Sequence, residues 1–264
     1  MTVYADLYTY RDLFVNLWRR DLQVRYRGSI LGLFWTFLNP LVLVGVYTLV
    51  FSVLWKAFAI EHYALFVCTG LVVWTFFSTV MTTASASLIS QAQLVQQVRF
   101  PRQLLPLSVT AAGIVTLLAM LAVVLALNLS FIPETRSTFW LALPMLVPLV
   151  AFTGALAIIA ASLTVLFRDI EHLIQTALLP WFFLTPIFYT FDALPGVEGH
   201  PNIVNILYWG NPITPALSAV RDPLFFGTLT RPSDAIYSVV AALVALTAAA
   251  LVFRRVDDQL AAQL

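Results

Sequence analysis

The strongest constraint on this chain is a set of six long apolar stretches, none of which contains Asp, Glu, Lys, Arg or His. They cover residues 33–55, 63–83, 104–132, 139–167, 173–191 and 235–253. A helix needs about 20 apolar residues to cross the hydrocarbon core of a bilayer. None of the stretches alternates polar and apolar residues as the strands of a membrane barrel do. The sequence therefore predicts an all-α integral membrane protein with six transmembrane helices, in a single domain over residues 1–264.

The composition excludes several classes of function. Hydrophobic residues make up 61% of the chain and charged residues 10%, whereas a soluble domain has about 25% charged residues. The 13 acidic and 14 basic residues nearly balance, which argues against a nucleic-acid partner, since such proteins present a basic surface. The single cysteine, Cys68, excludes an intramolecular disulfide and a cysteine-rich metal site.

The distribution of basic residues predicts the orientation of the chain. An even number of spans places both termini on one side, and ten basic residues lie on that side against four on the other. Lys and Arg are in excess on the cytoplasmic side of membrane proteins, so we expect both termini in the cytoplasm. The first 32 residues lack the short apolar run of a cleavable signal peptide.

The N-terminal segment 6–27 predicts an amphipathic helix that lies in the membrane interface rather than across it. One helical face is apolar, and the charged residues lie on the others; the apolar residues are Leu7, Tyr10, Leu13, Phe14, Leu17 and Trp18. The same pattern is expected of a helix that only anchors the chain to the membrane, with its arginines reaching lipid phosphates.

A second segment, 84–103, is too polar to cross the membrane and predicts a short cytoplasmic helix that stops before Pro101. Such a helix can dock into a cleft of a soluble partner, or it is a solvated connector. The charged turn 168–172 is predicted on the same side and offers a second contact.

The last external loop, 192–234, is too long to be structureless. Its apolar pieces within 207–227 are too short to cross, which favours re-entrant half-helices beginning at Asn211-Pro212. Arg221 and Asp222 are then expected near the external water level. The alternative is that Arg221 simply pairs with Asp222 or with a lipid headgroup.

No catalytic motif is present. The chain has no phosphate-binding loop, no H-E-x-x-H, no G-x-S-x-G and no paired aspartates within a span. Because no ionisable residue lies inside any predicted span, a carrier driven by protons or sodium is disfavoured. The aromatic residues of spans 1, 2 and 5 are the remaining candidates: sugar rings stack on aromatic faces, although aromatic belts and helix contacts have the same composition.

Five motifs, in this order along the chain, carry a resemblance to a known family. They are RDLQVRYRGSILGLFWTFLNPLVLVGVYTLVF (20–51), VRFPRQLLPL (98–107), LFRDIEHLIQ (166–175), LTPIFYTFDALP (184–195) and NPITPALSAVRDPLFFG (211–227). With them the sequence resembles the membrane subunits of ATP-binding-cassette exporters of polysaccharides such as O-antigen, capsule and teichoic acid. The resemblance implies a permease of the bacterial cytoplasmic membrane that pairs with a second copy of itself and with two copies of a separate ATPase.

The resemblance also implies roles for particular residues. Segment 6–27 corresponds to the family's gate helix, whose arginines contact the phosphates of a lipid-linked glycan: Arg19, Arg20, Arg25 and Arg27. The channel would be lined by the aromatics Phe34, Trp35, Phe37, Tyr47, Phe51, Trp181, Phe182, Phe188 and Tyr189. Contact with the ATPase would be made by Gln93, Gln96, Gln97, Arg99, Phe100, Arg102, Arg168, Asp169 and Glu171. The external re-entrant motif would contain Asn211, Pro212, Arg221 and Asp222.

The function expected from the resemblance is export of lipid-linked polysaccharide. We expect no catalytic residue, metal site or cofactor in this chain, with ATP and Mg on the partner ATPase. We expect membrane lipids as further partners and expect no nucleic-acid partner. Two alternatives stay open: a drug or small-lipid exporter of the same superfamily, and a membrane enzyme or scaffold without an ATPase.

Overall fold

The computed structural model describes residues 10–26, 34–54, 60–97, 100–191 and 201–263. Within these ranges the chain is helical and contains no strand. The helices are α1 Arg11–Tyr26, α2 Phe34–Tyr47, α3 Tyr63–Ser85, α4 Ala92–Gln97, α5 Leu104–Phe131, α6 Ala142–Leu166, α7 Asp169–Leu184, α8 Pro201–Trp209, α9 Ile213–Arg221 and α10 Pro232–Gln263. The predicted all-helical fold is therefore confirmed for the described residues.

Four helical segments of the described residues are long and apolar enough to cross a membrane: Tyr63–Ser85, Leu104–Phe131, Phe139–Leu166 and Pro232–Val256. They correspond to the second, third, fourth and sixth predicted spans. The last helix runs beyond its predicted span at both ends and includes Arg254 and Arg255.

The first and fifth predicted spans are less regular. In the first, α2 continues into a π-helical segment, Thr48–Leu54. In the fifth, α7 ends at Leu184, earlier than the predicted boundary at residue 191. The end of the helix coincides with Pro186, because proline disfavours the helical conformation of the residue before it. Thr185 accordingly has φ −90 and ψ 131.

The core is built by α3, α5 and α6, which pack against one another, with α10 lying along α6. Its largest fully buried side chains include Phe66, Phe77, Leu105, Leu149 and Ile158. α2 and α7 also pack against α3, and α1 packs on α5. This arrangement leaves α2, α3 and α7 next to one another.

The predicted re-entrant region consists of two short helices, α8 and α9, followed by a π-helical turn, Asp222–Phe226. α9 contacts α3, α6 and α10, so it is packed into the bundle. Gly227 ends the turn at φ 64, and a Cβ there would come within 2.7 Å of the Glu134 side chain. Only glycine takes this backbone conformation at such a close approach without strain.

Candidate functional site

The basic face of α1 divides into an exposed arginine and a paired one. Arg19 is exposed, whereas Arg20 Nη2 donates to Asp21 Oδ1 at 2.9 Å. The Arg25 side chain and the whole of Arg27 lie outside the described residues. Of the two predicted phosphate contacts whose side chains the structure describes, Arg19 is therefore the more exposed.

α1 is attached to the bundle through its other face. The Ser108 hydroxyl of α5 donates to Asp21 Oδ2 at 2.6 Å, and Leu17 is only 4% exposed. Tyr10, Leu13 and Phe14 also pack against the core. The apolar stripe predicted to face lipid thus faces protein over these residues, because α5 covers it.

Six aromatic side chains from the first and fifth predicted spans form one cluster, which we call the aromatic cluster: Tyr47, Phe51, Phe182, Phe183, Phe188 and Tyr189. Phe188 is at its centre. Its ring stacks on Tyr47 at 5.3 Å and on Phe51 at 5.3 Å, and it meets Phe183 edge-on at 5.7 Å. Phe182, Phe188 and Tyr189 are each less than a tenth exposed in the single chain.

The other predicted channel aromatics are not part of the aromatic cluster as described. Trp181 points toward α3, where it meets Phe77 edge-on at 5.0 Å, and its indole donates to Asn211 Oδ1 at 2.8 Å. These contacts make it part of the packing between α3, α7 and α9. The side chains of Phe34, Trp35 and Phe37 lie outside the described residues.

A groove of about 470 Å³ opens beside the aromatic cluster, between α2, α3 and α7. Its walls combine aromatic and polar side chains, among them Tyr47, Trp74, Phe182, Thr75, Ser78 and Gln175. Apolar walls with a few hydrogen-bonding groups are typical of ligand sites. Rings for stacking and hydroxyl or amide groups for hydrogen bonds suit a neutral polyhydroxylated ligand.

The described members of the predicted ATPase-contact set lie on α4, in the segment between α4 and α5, and at the start of α7. In α4, Gln93, Gln96 and Gln97 are exposed, while Val95 faces the core at 8% exposure. Phe100 and Arg102 are half-buried, and Arg99 lies outside the described residues. Arg168 and Asp169 are exposed at the N-terminus of α7, where Glu171 accepts from Gln175 at 3.3 Å. An acidic first turn stabilises a helix N-terminus.

Asn211 joins three elements in the external motif. Its Oδ1 accepts from the backbone N–H of Ile213 at 3.2 Å as well as from Trp181, and its Nδ2 donates to Thr185 Oγ1 at 2.8 Å. Pro212 follows directly and opens the first turn of α9, a position that proline favours. The start of α9 is thereby fastened to the end of α7.

The Arg221 side chain is enclosed by protein. It is 4% exposed, and its Nη1 and Nη2 donate to the backbone carbonyls of Pro186 and Ile187 at 2.6 and 2.9 Å. Its guanidinium carbon lies 4.1 Å from the centre of the Phe66 ring. No ion pair between Arg221 and Asp222 occurs in the described part of the chain, so the pairing alternative is wrong for this conformation.

Asp222 is only partly exposed, and burial raises the pKa of its carboxyl to about 6. The negative charge of Asp234 raises this pKa further, while the positive charges of Arg231 and Arg221 lower it.

Several residues that hold this region together lie outside the predicted set. Asn128 in α5 donates to the Leu224 carbonyl at 2.7 Å, and Thr138 donates to the Pro223 carbonyl at 2.9 Å. Gly70 in α3 lies against the Arg221 guanidinium. The sequence offered one weak indication of these contacts. Asn128 is the one Asn, Gln or charged residue in the apolar stretch 104–132, and a polar group within a membrane span needs a hydrogen-bond partner.

Comparison with known proteins identifies the family. The model of the ABC-2 type transporter family matches residues 12–225. An O-antigen export system permease protein RfbA of Myxococcus xanthus is 36% identical over 191 residues, which cover 72% of this chain and 72% of that protein. A protein of the same name from Klebsiella pneumoniae is 32% identical over 220 residues, 83% of this chain and 82% of that protein. The chain belongs to the ABC-2 type transporter family.

Proposed function

We propose that this chain is the membrane subunit of an ABC exporter of lipid-linked polysaccharide. The observation that carries the proposal is the similarity to O-antigen export permeases, at 36% and 32% identity over most of both chains. Members of this family are transporters rather than enzymes, and the groove beside the aromatic cluster has walls suited to sugar rings. The cargo class is an O-antigen, capsule or teichoic-acid-like glycan.

Loss of the gene from its own host tests this function. Fractionation of the deletion strain should show lipid-linked glycan retained on the cytoplasmic side and absent from the cell surface, and the intact gene should restore export. Normal surface glycan combined with new sensitivity to a toxic compound would instead support the drug or small-lipid exporter.

The proposed assembly contains two copies of this chain and two copies of a separate ATPase in the bacterial cytoplasmic membrane. ABC-2 family membership supports an ATP-binding partner. We propose that the exposed glutamines of α4 and the exposed start of α7 contact it, and that both termini are cytoplasmic. Purification of the tagged chain in mild detergent should retain an ATPase at a one-to-one ratio with no second type of membrane subunit. Recovery of the chain alone would contradict the assembly.

We propose that α1 receives the lipid diphosphate and that the glycan then passes between two copies of the chain, over aromatic side chains. ATP-driven closure of the ATPase would act on α4 and open this path. Because Arg20 is paired with Asp21 whereas Arg19 is exposed, Arg19 is the stronger candidate for a phosphate contact. Arginine suits this role because its guanidinium binds phosphate with two parallel hydrogen bonds.

Export measurements on two single variants test this ranking. Arg19→Gln should reduce surface glycan more than Arg20→Gln, and Arg25→Gln combined with Arg27→Gln should also reduce it. Arg136→Gln, on the predicted external side, serves as the control for loss of a positive charge. Normal export by Arg19→Gln and by the Arg25/Arg27 double variant would exclude the phosphate role.

A further inference from the structure

The backbone just after α7 depends on side chains from other helices for its hydrogen bonds. Three successive carbonyls, those of Pro186, Ile187 and Phe188, accept hydrogen bonds from side chains: the first two from Arg221 and the third from the Tyr63 hydroxyl at 2.7 Å. Non-helical backbone at membrane depth is tolerated only where protein or water satisfies its polar groups. The conformation of this segment is therefore set by α3 and α9.

The Arg221 contact requires a guanidinium. Two of its nitrogens each bind a different carbonyl, and the flat face of the group covers Phe66 at 4.1 Å. A lysine ammonium is a compact charge without this planar fork, so it cannot reproduce both bonds and the stacking together. A side chain of the same charge is consequently not equivalent here.

Gly70 supplies independent evidence that the site is built around this guanidinium. A Cβ at residue 70 would lie 2.3 Å from Arg221 Nη2 and 3.0 Å from the Ile187 carbonyl oxygen. Any other residue would push the guanidinium off its acceptors. α3 thus has its one glycine where the arginine reaches the backbone after α7.

The held backbone carries Phe188, the central ring of the aromatic cluster. Its stacking on Tyr47 has an interplanar angle of 3°, which a shift of the 186–188 backbone would destroy. We propose that Arg221 is a positioning residue for transport: it fixes the backbone of 186–188 so that Phe188 stays in the aromatic cluster. The part of this inference that concerns transport rests on the proposed function, whereas the structural part does not.

Amide hydrogen exchange in the purified full-length chain tests the structural part. Arg221→Lys and Gly70→Ala should each speed exchange in the peptide covering 184–191 by about tenfold, as expected for losing a charge-assisted hydrogen bond that opens locally. Peptides from α5 and α6 should change little. The matched controls are Arg136→Lys, an exposed arginine that binds one carbonyl, and Gly154→Ala, whose Cβ would make an ordinary 3.4 Å contact.

Tyr63→Phe provides a milder variant if the others fold poorly, because it keeps the ring and removes the hydroxyl that donates to the Phe188 carbonyl. It should also speed exchange in 184–191. Unchanged exchange in that peptide, or an equal acceleration in every helix, would overturn the proposal whatever the cargo is.

Export measurements in a double-mutant cycle test whether Arg221 acts through Phe188. Arg221→Lys and Phe188→Ala should each reduce surface glycan, and the double variant should be no worse than Phe188→Ala alone. A purely structural role would lower export in proportion to folded protein and would give additive losses, which would overturn the positioning role. If the wild-type chain exports no glycan, the proposed function fails, while the exchange experiment still decides the structural part.

Discussion

Single polar side chains decide how the external motif is attached to the bundle. Asn211 uses both ends of its amide, accepting from the Trp181 indole and donating to the Thr185 hydroxyl. It is only 8% exposed, so water does not replace these partners readily. A buried donor left without its acceptor costs more than the net value of the hydrogen bond.

The first prediction follows from Asn211. Asn211→Ala should lower the free energy of unfolding by about 2 kcal/mol, because it orphans the Trp181 N–H and removes the turn that starts α9. Thermal unfolding of the purified chain measures this. Asn205→Ala, at an exposed position of α8, is the control, and equal stability of the two variants would contradict the assigned contacts.

The second prediction concerns Asp222, whose pKa in the folded protein is raised to about 6. An unfolded aspartate loses its proton near pH 4, so the folded state holds the proton more tightly and is favoured at low pH. Stability contributed by this group should therefore fall as pH rises from about 4 to 6. Thermal unfolding across this range should show a smaller decline for Asp222→Asn than for the wild-type chain, and identical pH profiles would refute it.

At the scale of elements, α1 is attached to the bundle rather than resting only on lipid. Leu17 is buried, and Asp21 bonds Ser108 on α5 while also pairing with Arg20. α5 begins at Leu104, soon after Arg102, one of the ATPase contacts that the family resemblance implies. A displacement of that end of α5 would therefore be transmitted to α1.

The third prediction tests this attachment. Ser108→Ala should lower stability by about 1–2 kcal/mol, since it removes a hydrogen bond to a charged group, and it should speed amide exchange in 11–26. Asp21→Asn should act in the same direction. Asp12→Asn is the control, because the Arg11–Asp12 pair is long at 3.8 Å and highly exposed, and such pairs contribute little. Unaltered exchange in 11–26 for Ser108→Ala would show that this bond does not hold α1.

At the scale of the whole molecule, the number of helices that cross the membrane sets the topology. Four described segments have sufficient apolar length, and α2 with its π-helical continuation and α7 are the two shorter candidates. With all six crossings, both termini and the basic residues of segments 84–103 and 168–172 lie on one side, which the positive-inside rule assigns to the cytoplasm.

The fourth prediction is a topology. In a Cys68→Ser background, Ser90→Cys and His172→Cys should be labelled only from the cytoplasm, and Ser137→Cys and Thr228→Cys only from outside. All four positions are exposed and polar in the structure, so differences in burial do not confound the labelling. Labelling of His172→Cys from outside would mean an odd number of crossings before it and would exclude the six-span arrangement.

Much of the helical architecture was predictable because it depends on local properties. The predicted stretches 63–83, 104–132 and 139–167 nearly coincide with helical segments of the structure. The predicted end of the fifth span was wrong. The apolar pattern continues to residue 191, but α7 ends at Leu184, two residues before Pro186. The site was predictable by residue type, and several of its aromatic residues do form one cluster.

By itself the sequence determined that this protein is a bundle of apolar helices, because apolar length and backbone bonds within each helix suffice for that outcome. Only the tertiary structure decided which buried polar groups meet. Arg221 was expected near water or beside Asp222, its neighbour in the chain, yet it binds carbonyls at residues 186 and 187. Asn128 binds a carbonyl 96 positions away. Such pairs depend on how helices pack, since a buried donor takes whichever acceptor the packing brings within reach.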